Sequence, residues 1–133
     1  MYTTSRNFKF FFILVTLFLG GCAGASDYEI DLPGKHSIIR TSANNITIAP
    51  KLGEDVWGAD VVPAEVIEVG WNEEYIIAKQ RKGKESKSFW IIKIESGKVT
   101  GPLNTENFMS KKEEYGIDED ISLIKVQDLD KDY

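Results

Sequence analysis

Ser88-Phe89-Trp90-Ile91-Ile92-Lys93-Ile94 is the stretch on which the fold turns. A β-strand sends successive side chains to opposite faces, and here both faces are apolar: Phe89 and Ile91 on one, Trp90, Ile92 and Ile94 on the other. Such a strand must be covered on both sides, which makes it central. Upstream, a polar, lysine-rich connection from Gln80 to Lys87 joins it to Tyr75-Ile76-Ile77-Ala78-Lys79. Asn72-Glu73 turns that strand back onto Glu65 to Trp71, where Ile67, Val69 and Trp71 share one face at period two. Downstream, Ser96-Gly97 turns into a brief Lys98-Val99-Thr100 strand, which Gly101-Pro102 ends.

A helix follows. Asn104 is placed as its N-cap, Leu103 and Phe108 at N′ and N4 form a hydrophobic staple, and Gly116 stands where a C′ glycine stops a helix. Lys111 and Lys112 suit its C-terminal dipole, and Phe108, Met109 and Tyr115 supply a narrow apolar stripe to lay on a sheet. Ile121 to Val126 reads as a last strand, before an acidic tail over 127–133.

The first half reads as a meander. Tyr28-Glu29-Ile30-Asp31-Leu32 alternates, Pro33-Gly34 makes a type II turn, and His36 to Thr41 and Asn45 to Ala49 flank an asparagine turn. Residues 50–64 lose the periodicity and contain Gly53, Gly58 and Pro63, so they are expected to form a long loop. The expected fold is α+β, a twisted antiparallel sheet of six to eight short strands with one helix on the C-terminal side, in a single domain over 28–126.

The N-terminus has the layout of a secretory leader: Arg6 and Lys9, an apolar run from Phe10 to Leu19, then Gly20 and Gly21. Ten to twelve apolar residues in a helix reach roughly 15–18 Å, short of the about 30 Å hydrocarbon layer. Leu19-Gly20-Gly21-Cys22 resembles the lipobox of bacterial lipoproteins. The resemblance implies cleavage between Gly21 and Cys22, removal of residues 1–21 and a diacylglyceryl group on the Cys22 sulfur. The expected location is then the extracytoplasmic face of a cell membrane or outer membrane. A signal cut elsewhere, or a buried apolar helix in which Cys22 is incidental, is the alternative reading. Two acyl chains at about 0.8 kcal/mol per buried methylene hold stably, whereas one holds weakly. Ala23 to Asp27 form a tether of five residues that spans at most roughly 17 Å.

Asp27 to Gly34, the Val69-Gly70-Trp71-Asn72 turn with Tyr75 to Gln80, and the Phe89-Trp90-Ile91-Ile92 strand closing on Gly101-Pro102-Leu103 resemble a family of small bacterial lipoproteins of unknown function. Its motifs are structural, so the resemblance implies no site residue. The hairpin is also similar to one blade of a β-propeller, though one blade cannot close a propeller.

Losing Arg6 and Lys9 with the leader takes the formal net charge from −5 to −7. That sign argues against nucleic acid or a bare anionic bilayer as a partner for the whole surface. Against it, Lys79, Arg81, Lys82, Lys84 and Lys87 crowd one hairpin with a single acid, Glu85. This is either a solvated, edge-protecting loop or a contact for anionic headgroups, an acidic envelope polymer or another envelope protein. Trp57, in the expected loop, is a lid over a sheet face or a stacking platform, and Trp71 and Trp90 are expected in the core.

His36 is the only histidine, and beside Pro33-Gly34 it is expected to be exposed. Phosphate-loop, nucleophile-elbow and zinc-cysteine patterns are absent, so no catalytic residue, metal or cofactor is expected. Asp128-x-Asp130-x-Asp132 imitates a calcium loop without its glycine and glutamate and reads as a solvated tail. The first functional reading is a non-enzymatic, lipid-anchored envelope protein. The alternatives are a small hydrolase or transferase working through Glu65, Glu68, Glu73 or Glu74, and an inhibitor that presents residues 50–64 as a protruding loop.

Overall fold

The computed structural model describes residues 27–117, 119 and 121–129. Four strands, β1 (Tyr28–Leu32), β2 (His36–Ser42), β3 (Asn45–Gly53) and β4 (Val56–Trp57), form one antiparallel sheet in sequence order. The second sheet is ordered β8-β7-β6-β5-β9, with β5 at Val66–Trp71, β6 at Tyr75–Lys82, β7 at Ser86–Lys93, β8 at Val99–Leu103 and β9 at Ile124–Lys125. The helix α1 (Thr105–Glu114) lies between β8 and β9, and a 3₁₀ turn, Val126–Asp128, follows β9. The fold is α+β as expected, with nine strands among the described residues divided between two sheets.

The two apolar faces of β7 meet two separate cores. Ile92 and Trp90, with Ile76 and Ala78 of β6, face the first sheet, where Ile30, Ile38, Ile46 and Ile48 meet them. Phe89 and Ile91, with Tyr75 and Ile77 of β6, face α1 and the segment after it, through Phe108, Ile117 and Ile121. Phe89 stacks on Phe108 at 4.4 Å and Tyr75 on Tyr115 at 5.8 Å. The layers therefore run sheet, sheet, helix, with the second sheet in the middle.

The helix ends are those its sequence predicts. The Asn104 side chain accepts from Asn107 N at 2.7 Å, and beyond Tyr115 the Gly116 N–H reaches Glu113 O while the Ile117 N–H reaches Lys112 O. Gly116 has φ +64, the left-handed conformation that this paired cap requires. Leu103 and Phe108 both join the helix-side core, as a staple does, whereas Met109 is 57% exposed rather than part of the apolar stripe.

Several expectations are corrected, most of them by strand register. A bulge between Val66 and Glu68 puts Val66 and Val69 on the buried face, so Ile67 is only half-buried and Trp71, at the strand end, is 37% exposed. Trp90 is half-buried against the inter-sheet core, its indole N–H donating 2.8 Å to Gln80 Oε1. Residues 50–64 are not a free loop: β3 runs on to Gly53, Val56–Trp57 pair with it, and Val62, bridged to Ile48, is fully buried. His36 is buried rather than exposed, because its register opposite Pro50 puts it in phase with Ile38. The last strand shrinks to Ile124–Lys125, while Val126 and Leu129 pack on the inter-sheet core.

Candidate functional site

Glu68 on β5 stands between two lysines. The β5–β6 register sets it opposite Lys79, and the β5–β9 register sets it opposite Lys125. Direct cross-strand partners have Cβ atoms about 4.5–5.5 Å apart, so this pairing alone gathers the three charges. Lys79 Nζ lies 2.9 Å from Glu68 Oε2 and 5.9 Å from the ring centre of Phe89, its partner on β7. In the next row Arg81 pairs with Lys87 of β7. On its other side Arg81 exchanges two backbone hydrogen bonds with Glu65, and its guanidinium grips the Glu65 carboxylate at 2.9–3.1 Å.

These rows line a groove of about 490 Å³, together with Tyr28, Arg40 and Ile46 of the first sheet and Lys125 to Gln127. Five cations, Arg40, Lys79, Arg81, Lys87 and Lys125, line it with two carboxylates, Glu65 and Glu68. Both carboxylates are held by cations, and among the described residues Lys87 and Lys125 have no ion-pair partner. Counted over the described residues that line it, the groove carries three more cations than carboxylates, on a domain whose overall sign is negative.

Residues 33–127, from the turn after β1 through the remaining strands and the helix into the 3₁₀ turn, match the family described as Protein of unknown function (DUF3997). The chain belongs to that family. No curated protein and no solved structure matches it.

Of the basic residues singled out in the sequence, this DUF3997 member brings Lys79, Arg81 and Lys87 into the groove. Lys82 and Lys84 are exposed around the β6–β7 turn and do not line it. Trp57 is elsewhere, half-buried on β4 opposite Lys51, its indole N–H buried without a partner. Arg40 and Lys125 escaped the sequence reading because each sits in a strand far along the chain, and only strand pairing brings them to the hairpin. The four carboxylates of the hydrolase reading do not converge. Glu65 and Glu68 are paired, whereas Glu73 and Glu74 lie exposed in the β5–β6 turn at the other end of β5. Nor do residues 50–64 protrude as an inhibitor loop, since both ends of that stretch are hydrogen-bonded into the first sheet. Cys22, the Gly21–Cys22 bond, Asp130 and Asp132 lie outside the described residues.

Within the groove, burial pushes the Tyr28 phenol above its ordinary pKa, partly opposed by the Arg40 guanidinium 5.4 Å from its ring centre. A second hollow of about 410 Å³ lies at the opposite end of β1, around Asp31, Lys35, His36 and Lys51. There Lys51 Nζ sits 2.8 Å from Glu29 Oε1 and 3.4 Å from Asp31 Oδ1, and the Ser37 hydroxyl lies within 3.3 Å of both carboxylates. The bond with Glu29, then the weaker one with Asp31, raises the Lys51 pKa against desolvation. At Asp31 desolvation is the largest single influence and raises the pKa, but hydrogen bonds with Glu29, Lys51 and Ser37 together outweigh it and hold the carboxyl below its usual value. Here two carboxylates share the one ammonium of Lys51, whereas in the groove Lys87 and Lys125 have no ion-pair partner among the described residues. Among the described residues no helix is long and apolar enough to cross a membrane, and no group of three acidic, histidine or cysteine side chains is placed to hold a metal.

Proposed function

We propose that this DUF3997 member is a lipid-anchored envelope protein, held through Cys22 on the extracytoplasmic face, that binds an anionic envelope component in its basic groove and does no chemistry on it. The observation that carries this reading is the charge balance of the groove: five cations against two carboxylates that are already paired. A recessed site whose lining carries an excess of one sign of charge focuses its field and concentrates counter-ions, even on a protein of opposite net charge. Paired carboxylates are poor general acids or bases, because the cation that holds each one also holds it ionised. The overall negative charge continues to weigh against nucleic acid.

The test has two arms. Intact mass of the full chain extracted from its native membranes should show Cys22 as the lipid-modified first residue, and Cys22→Ser should release the protein from the membrane fraction. In the second arm the full chain is titrated with long-chain polyphosphate. Binding should weaken as salt rises, and the double variant Lys87→Gln, Lys125→Gln should weaken it by about 30-fold, at roughly 1 kcal/mol per basic residue. Salt-independent binding, or binding untouched by the double variant, would remove the groove as the working surface.

A further inference from the structure

We infer that the occupant of the groove is the phosphodiester headgroup of anionic phospholipid in the same membrane that holds Cys22, so that the domain lies with its basic groove on the bilayer. The inference rests on the anchor proposed above and adds an orientation and a ligand to it. Its starting point is where the chain enters the domain: Tyr28, the first residue of β1, itself lines the groove, beside Arg40. Only Ala23 to Asp27 separate Tyr28 from the lipidated cysteine. Those five residues extend at most roughly 17 Å, whereas a compact domain of about 100 residues, with a radius of gyration near 13 Å, is about 30 Å across. A tether shorter than the body it holds keeps the end that carries the attachment turned toward the membrane.

Charge completes the case. Lys87 and Lys125 are exposed and without ion-pair partners among the described residues, and the register places them on either side of the rows that hold Lys79, Arg81, Glu65 and Glu68. A phosphodiester that reaches the groove is offered these cations without breaking either existing pair. At physiological ionic strength such charges act over about 8 Å, a range that the short tether makes accessible and that a freely tumbling domain would seldom use. A soluble polyanion would have no comparable reason to be met on the anchored side.

The full lipidated chain, reconstituted into vesicles, tests this by lysine acetylation read by mass spectrometry. In vesicles containing phosphatidylglycerol, acetylation of Lys87 and Lys125 should be slowed about fivefold relative to neutral phosphatidylcholine vesicles, the scale of one cation at a charged surface. Lys98, in the turn between β7 and β8 at the far end of the second sheet, should react equally in both. Salt at 1 M should abolish the difference. Equal reactivity of Lys87 and Lys125 in the two vesicle types, with the chain retained on both, would overturn the inference and leave the anchor standing. Stronger protection by added soluble polyphosphate than by phosphatidylglycerol would overturn it as well. Failure of the chain to stay on neutral vesicles would remove the anchor and the inference together.

Discussion

Replacing Gly70 by alanine tests the link between the C-terminal segment and the groove. Gly70 lies on β5 opposite Ile77, and its φ is outside the left-handed region, so alanine meets no backbone strain there. What it meets is the returning chain. A Cβ at this position would overlap the Ser122 carbonyl oxygen and stand 2.8 Å from Ile121 Cγ2 and 3.1 Å from the Ser122 carbonyl carbon. Carbon atoms prefer about 3.5–4.0 Å, so Ile121 and Ser122 must move outward by about 1 Å. Overpacking of this kind costs about 1–3 kcal/mol, against about 0.5–1 kcal/mol regained by removing a glycine from a strand. The net loss is about 1–2 kcal/mol, or a fall in melting temperature of about 5–15 °C for a domain of this size. Because Lys125 follows three residues after Ser122, polyphosphate binding should weaken too, although no charge has changed. Calorimetry and a binding titration on the one variant provide both readouts. A variant as stable as the parent would refute the close packing of residues 121–122 on β5.

The remaining predictions concern single side chains. Gln80 is 1% exposed, donates 2.8 Å to Ala64 O and accepts from the Trp90 indole, so Gln80→Leu strands two polar groups and should cost about 2–5 kcal/mol in urea unfolding; a loss below about 1 kcal/mol would contradict this. Glu65→Gln removes a negative charge from the groove and should tighten polyphosphate binding about fivefold at low salt. Its stability cost should stay under about 1 kcal/mol, since Arg81 is half-exposed, and weaker binding would count against the electrostatic reading. The Asp31 pKa is lowered from 3.8, so its contribution to stability is complete above that value and lost as pH falls through the lowered one. Asp31→Asn should therefore flatten the acid limb of the melting-temperature profile. The Lys51 pKa is raised from 10.5, so its contribution is complete below that value and lost as pH rises through the raised one, and Lys51→Met should flatten the alkaline limb.

What was legible in the sequence is what is decided locally. The two apolar faces of β7 predict a middle layer because pleat alone sets them, and Asn104 and Gly116 predict the helix ends because a cap is made within a few residues. The misses arise where register decides. One extra residue at Ile67 reassigns the face of β5, and His36 is buried by its pairing with Pro50, fourteen positions on, rather than by its neighbours in the chain. The groove divides the same way. Lys79, Arg81 and Lys87 share a hairpin and show as a charge cluster, whereas Arg40 and Lys125 look like ordinary strand residues until β2 and β9 take their places. The carboxylates Glu65 and Glu68, read from sequence as candidate acids, are held in ion pairs with Arg81 and Lys79, which only the strand pairing reveals.

The orientation proposed for the domain on a membrane is the most direct test. Fluorophores placed singly on Ala43→Cys, at the rim of the groove, and on Ser96→Cys, beyond the other end of β7, report from positions more than about 20 Å apart along the strands. In the lipidated chain on vesicles with nitroxide-labelled headgroups, the first label should be quenched strongly, and more so when anionic lipid is present, while the second stays bright. Equal quenching at both positions, or stronger quenching at residue 96, would contradict a groove that faces the bilayer.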